Sequence, residues 1–134
     1  MMASPVYKPP MSLTITAIDH IQITCQPADE AATLTFYRDI LGLPEIEKPE
    51  ELKARGGAWF QLGTQQIHIG LDKPCEVSPS KRHICFLVDD LGKAEAHLAA
   101  AGFEILPEPV DAFGLERFFV RDPAGNRVEI GCRG

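Results

Sequence analysis

The chain has 134 residues, a size typical of one globular domain, and 45% hydrophobic with 24% charged residues argues against intrinsic disorder. A net charge of -6 and scattered lysines and arginines argue against a nucleic-acid partner. No apolar run is long enough to cross a bilayer, so no membrane partner is expected. Four cysteines lack CxxC spacing and indicate free thiols in a cytoplasmic protein: Cys25, Cys75, Cys85 and Cys132.

The first half of the chain predicts a strand, a helix and three more strands. A proline-rich segment with little charge predicts a flexible N-terminal arm over residues 1–12. Alternating residues predict a strand over Thr14–Thr24, and apolar spacing predicts a helix over Ala28–Leu41 that ends at Gly42. Further strands are predicted at Pro44–Glu47, Ala58–Leu62 and Gln66–Leu71, with a hairpin turn between the last two.

The second half repeats this order after a loop over Lys73–Lys81. A helix is predicted over about Leu91–Ala101. Strands are predicted at His83–Val88, Phe103–Leu106, Leu115–Val120 and Arg127–Ile130. The segments "HIQI" and "HICF" match each other, as do "QQIHI" and "NRVEI". The repeat predicts an internal duplication, with modules at about 13–72 and 82–132 of a single domain spanning 13–134.

Four residues of metal-binding types lie on the first and last strands of the two modules: His20, His68, His83 and Glu129. Because successive side chains alternate between the faces of a strand, each points away from the apolar residues of its strand. We therefore expect the four to converge on one concave surface. Three imidazoles and a carboxylate suit one divalent ion (Ni, Zn, Co, Mn or Fe) and leave positions open for water or substrate.

Each member of this quartet, taken singly, could instead be a hydrogen-bonded core or surface residue. Their matched positions in the duplication favour the metal site. His97, on the second predicted helix, is expected to be a surface residue.

Five residues are candidates for contact with a small-molecule substrate: Gln22, Trp59, Gln66, Cys85 and Arg127. The glutamines could instead hold ligating rings by hydrogen bonds. Cys85 could fill space, Arg127 could pair with an acid, and Trp59 could be a core residue. Three arginines could bind a carboxylate or phosphate of the substrate: Arg55, Arg117 and Arg121. Nucleotide-binding glycine loops and a serine nucleophile elbow are absent from the sequence.

The segments "IDHIQI", "FYRDILGLPE", "IHIGLD", "HICFLVDDL" and "DPAGNRVEI" resemble the vicinal oxygen chelate superfamily, which includes glyoxalase I, fosfomycin-resistance proteins, extradiol dioxygenases and bleomycin-resistance proteins. The resemblance covers about Ile15–Cys132. It implies an α+β fold of two βαβββ modules that form a cup-shaped, partly open eight-stranded barrel, and a homodimer. In the superfamily, the first and last strands of each module supply the metal ligands. Glyoxalase I commonly has Glu or Gln at the position of His68, so the chain departs from the glyoxalase pattern there.

The resemblance implies a metal-dependent enzyme with lyase or isomerase chemistry, whose substrate chelates the ion through two adjacent oxygens. Glu129, the one carboxylate of the quartet, is then a candidate catalytic residue that takes a proton. Two alternatives remain open: a drug-binding protein without catalysis, like the bleomycin-resistance members, and an Fe(II) extradiol-type dioxygenase. Whether the site lies within one chain or between two chains also stays open.

Overall fold

The duplicated βαβββ order is present in the computed structural model, which describes residues 6, 13–73, 80–109 and 114–133. The first module contains β1 His20–Cys25, α1 Glu30–Thr35, β2 Glu45–Ile46, β3 Ala58–Leu62 and β4 Gln65–Leu71. The second contains β5 His83–Leu87, α2 Leu91–Ala100, β6 Leu106–Pro107, β7 Leu115–Arg121 and β8 Arg127–Arg133. The predicted α+β class and internal duplication are therefore confirmed.

Each module forms an open, mixed four-stranded sheet. The strand orders are β1-β4-β3-β2 and β5-β8-β7-β6, with parallel pairing of β1 with β4 and of β5 with β8. Equivalent positions pair in both sheets, since His20 lies opposite Gln66 and His83 lies opposite Arg127. Because β1 and β5 stand first in the two strand orders, the strands that carry His20 and His83 are edge strands of their sheets.

One hydrophobic core receives apolar side chains from both sheets and from the helices. Ile67 and Ile69 of β4 and Val128 and Ile130 of β8 belong to it. Phe36 meets Phe103 edge-on at a ring-centroid distance of 4.9 Å, which joins the helical segment of the first module to the segment that follows α2 in the second. The quartet's strands therefore bury the faces that the alternation of residues predicted.

The first strand is shorter than expected, because the prediction began at Thr14 and β1 begins at His20. Its partner strand β4 begins at Gln65, and ladder pairing begins with His20 opposite Gln66. Residues 13–19 are exposed and form no ladder with a described strand, although the Gln66 N–H of β4 donates to the Asp19 carbonyl oxygen at 3.4 Å. An alternating pattern alone does not form a strand where no neighbouring strand supplies hydrogen-bond partners.

Two strands and one helix also differ from the prediction. The last strand continues past Ile130 to Arg133, because Leu115 at the start of β7 pairs with Arg133. The strand β6 is only Leu106–Pro107. A 3₁₀ helix at Glu50–Arg55 was not predicted, since six residues without apolar periodicity give no helical signal.

The first predicted helix is a continuous helical segment built in three parts. A 3₁₀ turn at Pro27–Asp29 precedes α1, and a π-helical stretch at Phe36–Ile40 follows it. The predicted arm over residues 1–12 falls outside the described residues except for Val6, as does most of the loop over Lys73–Lys81. Of the helices that the structure describes, none is long and apolar enough to span a bilayer.

Candidate metal centre

The first module stacks three aromatic rings across its sheet. The ring of His68 on β4 lies between those of His20 on β1 and Trp59 on β3. The ring centroids are 4.3 Å apart for His20 and His68 and 3.8 Å for Trp59 and His68, with interplanar angles of 12° and 5°. This stack explains why His68 is only 4% exposed although it lies on the polar face of the sheet.

Hydrogen bonds orient both imidazoles of this pair. His20 Nδ1 lies 2.9 Å from a carboxylate oxygen of Asp19, and His68 Nε2 lies 2.9 Å from Gln66 Oε1. Such partners fix the ring and tautomer of metal-binding histidines. Burial lowers the pKa of His68, and the nearby His20 and Lys48 lower it further while Asp19 opposes them. The His68 ring is therefore held in the neutral form that binds metal ions.

The second module joins His83 and Glu129 directly. His83 Nε2 lies 2.8 Å from Glu129 Oε1, and Arg117 donates to Glu129 Oε2 at 3.0 Å. Glu129 is only 3% exposed, so Arg117 and His83 surround a carboxylate that water scarcely reaches. The other ring nitrogen, His83 Nδ1, lies 2.8 Å from the carbonyl oxygen of Lys81.

Both ring nitrogens of His83 therefore face acceptor oxygens. If Nδ1 carries the proton and donates to Lys81, the Nε2 lone pair points at the Glu129 carboxylate, and a proton or a cation between them satisfies both atoms. Two neighbouring ligand atoms on an octahedral ion, each bound at about 2.1 Å, are about 3 Å apart. The spacing of His83 and Glu129 fits that requirement.

The quartet is divided into two pairs, one on each sheet. Among the described residues, no group of three or more His, Cys, Asp or Glu side chains is placed to hold one ion. The donor chemistry of each pair suits a divalent first-row metal. One chain as described therefore presents two candidate half-sites, His20 with His68 and His83 with Glu129.

The candidate substrate residues of the first module lie around its half-site. Gln22 is opposite His68 in the β1–β4 register and extends over Gly70, where an added Cβ would lie 2.7 Å from its Nε2. Trp59 is in contact with His68, and Gln66 bonds to it. These three side chains can thus position His68 as well as contact a ligand.

In the second module, Cys85 and Arg127 share the face of His83. Cys85 forms no disulfide. Partial burial of its thiol, followed by the charge of Glu129, raises the pKa of that thiol. The Arg127 guanidinium lies 3.8 Å from the Phe119 ring centroid in a cation–π contact. Arg127 thus packs on an aromatic ring, a contact that the sequence did not predict.

A cavity of about 350 Å³ is lined by residues of both modules, among them Gln22, His83 and Arg127. Tyr37 and Asn126 also line it, and Asn126 Nδ2 donates to the Thr24 carbonyl at 2.9 Å. Three of the predicted site residues, from both modules, therefore border one space.

The three candidate anion-binding arginines differ in their surroundings. Arg117 bonds to Glu129, and Arg121 donates to the carbonyl oxygens of Gly125 and Ser80. Arg55 makes no ion pair or side-chain hydrogen bond within the described ranges. His97 is exposed, as expected, but its Nε2 lies 2.8 Å from the carbonyl of Ile40 and connects the modules.

Sequence reasoning missed three contacts of the candidate site. Phe119, opposite Glu129 on β7, corresponds to Trp59, opposite His68 on β3. Comparison of the two modules could have indicated this aromatic position. The carboxylate of Asp19 beside His20 and the pairing of Arg117 with Glu129 depend on rotamers, which periodicity does not report.

Comparison with known proteins identifies the class. A family model for the Glyoxalase/Bleomycin resistance protein/Dioxygenase superfamily matches residues 17–130. The chain belongs to this superfamily, and the resemblance noted from its motifs is confirmed.

Individual relatives agree with this membership. Glyoxylase I 4 of Arabidopsis thaliana is 29% identical over 127 residues, covering 88% of this chain and 71% of that protein. A Bacillus anthracis structure described as a glyoxalase family protein has a TM-score of 0.82 at 35% identity, covering 92% of this chain and 100% of that one. Lactoylglutathione lyase of Agrobacterium tumefaciens, 24% identical with a TM-score of 0.64 over 89% and 95% of the two chains, shares the fold.

Proposed function

We propose that this protein is a metal-dependent enzyme with lyase or isomerase chemistry on a small substrate that chelates the ion through two adjacent oxygens. The observation that carries the proposal is the His83–Glu129 pair, whose nitrogen and oxygen lie 2.8 Å apart while Lys81 holds the other ring nitrogen. The similarity to a protein named Glyoxylase I 4 supports the reaction class. The ion would be Ni, Zn, Co, Mn or Fe.

We propose further that the complete site forms between two copies of the chain. His20 and His68 of one copy would hold the ion together with His83 and Glu129 of the other. Two half-sites in one chain support this arrangement, because a symmetric dimer that joins unlike halves has two complete sites. The exposed edge residue Leu87, which is 63% exposed on β5, provides apolar surface for such a contact.

In this mechanism, Glu129 accepts the proton that the substrate loses from carbon. The bound ion would stabilise the oxyanion that forms at the neighbouring carbonyl oxygen. Arg117 holds Oε2 of Glu129, so Oε1, the atom beside His83, would bind the ion at rest and would leave it to take the proton. Because Glu129 is buried, water competes little for that oxygen.

Metal content and turnover test the function. We expect about one divalent ion per complete site and activity toward hemithioacetals of 2-oxoaldehydes that is lost with a chelator and restored by metal. Glu129→Gln should lower kcat by about a hundredfold or more, since an amide takes no proton at neutral pH. Full turnover by E129Q, or iron with catechol-dependent oxygen uptake instead, would contradict the proposal.

A mixing experiment tests the shared site. The double variants H20A/H68A and H83A/E129A should each be inactive alone. Equal mixing after subunit exchange should restore roughly a quarter of the wild-type sites, because half of the dimers are mixed and each mixed dimer keeps one intact site. Each double variant taken alone through the same exchange treatment serves as the control. If the mixture of different variants stays inactive, the shared site is wrong while metal dependence can still hold.

We also propose that residues 13–134 act as one domain of a cytoplasmic protein. The core that both modules share supports a single domain. The thiols of Cys85 and Cys132 are free, a state that a reducing compartment preserves.

A further inference from the structure

A second cavity, of about 250 Å³, lies beside the first half-site. It is bounded by β1, β3, β4 and the 3₁₀ helix, and its lining includes Gln22, Lys48, Arg55, Gly56 and Trp59. Trp59 contacts His68 through its ring, and Gln22 lies opposite His68 in the sheet register. The cavity therefore shares two walls with the proposed metal site.

The charge of this cavity is opposite to that of the whole chain. Lys48 and Arg55 line it, and no acidic side chain of the described residues does, although the chain carries a net charge of -6. Lys48 Nζ donates to the Gly56 carbonyl, which holds this cation at the rim. The nearby Glu30 carboxylate lies behind Gly56 and accepts the Gly57 N–H at 2.7 Å. The two cations that line the cavity outnumber this one carboxylate and give the cavity a positive potential.

The neighbouring cation Lys53 is neutralised by carboxylates, which distinguishes it from Arg55. Lys53, on the same 3₁₀ helix, lies 2.6 Å from Glu47 and 2.8 Å from Glu50. Within the part of the chain that the structure describes, Arg55 has no such partner. Its guanidinium is available to bind two oxygens of an anion.

We propose that this cavity binds an oxyanion group, a carboxylate or a phosphate, carried by the same substrate that chelates the metal. The inference rests on the proposed function and adds a substrate class to it. Whole-ligand pockets usually measure about 300–1,000 Å³, so 250 Å³ suits one part of a ligand. Arg55 and Lys48 supply charge, the Gln22 amide supplies a hydrogen bond, and the Trp59 ring covers the carbon chain between the two ends.

The fluorescence of Trp59 measures binding, because it is the one tryptophan in the sequence and lines the cavity. Metal-loaded protein is titrated with dihydroxyacetone phosphate and with dihydroxyacetone, and then with 4,5-dioxopentanoate and its methyl ester. Each pair shares adjacent oxygens and differs in one anionic group. We expect the anionic member of at least one pair to bind about tenfold more tightly, and the pair with the larger ratio identifies phosphate or carboxylate.

The variants assign this preference to the cavity. Arg55→Ala should remove most of the tenfold ratio and Arg55→Lys should keep part of it. Lys53→Ala, which removes a cation of the same helix that pairs with Glu47 and Glu50, should leave the ratio unchanged. Lys48→Met is a second test from another segment and should also lower the ratio. The inference is overturned if wild type binds the charged and neutral members with equal affinity. It is also overturned if R55A and K53A lower the affinity ratio equally.

Failure of this inference can be told from failure of the proposed function. Chelator-treated protein is titrated with inorganic phosphate and with acetate, which need no metal to enter the cavity. Quenching of Trp59 that R55A removes and K53A keeps supports the anion site even if no metal-dependent activity is found. Metal-dependent turnover without any charge preference overturns the anion site alone.

Discussion

At the residue scale, the buried carboxylate of Asp122 connects the two modules. It accepts hydrogen bonds from Tyr37 OH at 2.8 Å and from the Asn126 backbone N–H and side-chain amide at 2.8 and 2.9 Å. Tyr37→Phe should lower the free energy of unfolding by about 1 kcal/mol at pH 7, because Asp122 loses one donor and keeps the others. Urea unfolding of the two proteins measures the difference, and equal midpoints would contradict this role.

The ionisation of Tyr37 should make the free energy of unfolding depend on pH in alkaline solution. Burial, followed by the charge and hydrogen bond of Asp122, raises the pKa of Tyr37 well above 10.0. Above pH 10 the unfolded phenol ionises while the buried one keeps its proton, so the folded state binds more protons and loses stability as the pH rises. The loss is about 1.4 kcal/mol per pH unit until the folded pKa is reached. Urea unfolding from pH 9 to 11 should show a steeper decline for wild type than for Y37F.

The lowered pKa of His68 should make the free energy of unfolding fall as the pH is lowered in acid solution. Its folded pKa is lowered from 6.5, chiefly by burial, so the unfolded state binds more protons below that pH. The stability that the neutral ring contributes is present above pH 6.5 and is lost as the pH falls through the folded pKa. Chelator-treated wild type should therefore lose stability more steeply between pH 7 and 5 than His68→Gln. If urea unfolding showed the same loss of stability between pH 7 and 5 in both proteins, His68 would not be held neutral.

Alternation along the strands predicted which face each site residue occupies, because that property depends on backbone parity alone. It could not predict that Trp59 stacks on His68, since this contact depends on the register of β3 with β4 and on two rotamers. The role of the quartet in metal binding stays a prediction.

At the element scale, the connection from the 3₁₀ helix to β3 depends on glycine. Gly57 has φ = 76°, its N–H donates to Glu30 Oε2 at 2.7 Å, and an added Cβ would lie 1.9 Å from the Ile69 carbonyl oxygen. Because that oxygen belongs to the backbone of β4, rotation of a side chain cannot relieve the contact.

Gly57→Ala should therefore lower the free energy of unfolding by about 3 kcal/mol, from the positive φ and the displaced strand together. Gly42→Ala is the matched control, with φ = 75° and open space around the new Cβ, and should cost only about 1 kcal/mol. Urea unfolding of both variants measures the comparison. A similar loss in the two would mean that the space at Gly57 is not limiting.

Elements with repeated periodicity and a stop signal were predictable, such as α2 at Leu91–Ala100, which Gly102 follows. Elements defined by a partner were not: β6 has only two residues, and β8 extends to Arg133 because β7 lies beside it. Pairing across long sequence separations leaves no local signature in a single sequence.

At the scale of the whole molecule, the duplication predicted two equivalent modules, and the motifs predicted the superfamily. The sequence did not predict how the modules meet. That contact depends on individual side-chain pairs such as Phe36 with Phe103 and Asn126 with the Thr24 carbonyl, which the repeated pattern does not specify.

The shared core predicts that the two modules unfold together. Ile130→Ala removes a buried side chain of β8 in the second module, whereas Trp59 reports on β3 in the first. We expect a loss of about 2–5 kcal/mol that shifts the urea midpoints of Trp59 fluorescence and far-UV circular dichroism equally. Ile67→Ala, at a buried position of β4 in the first module, is the matched control and should shift both probes in the same way. If Trp59 kept its wild-type midpoint in I130A, each module would have its own stability, and the half-sites would be carried by independently folding units.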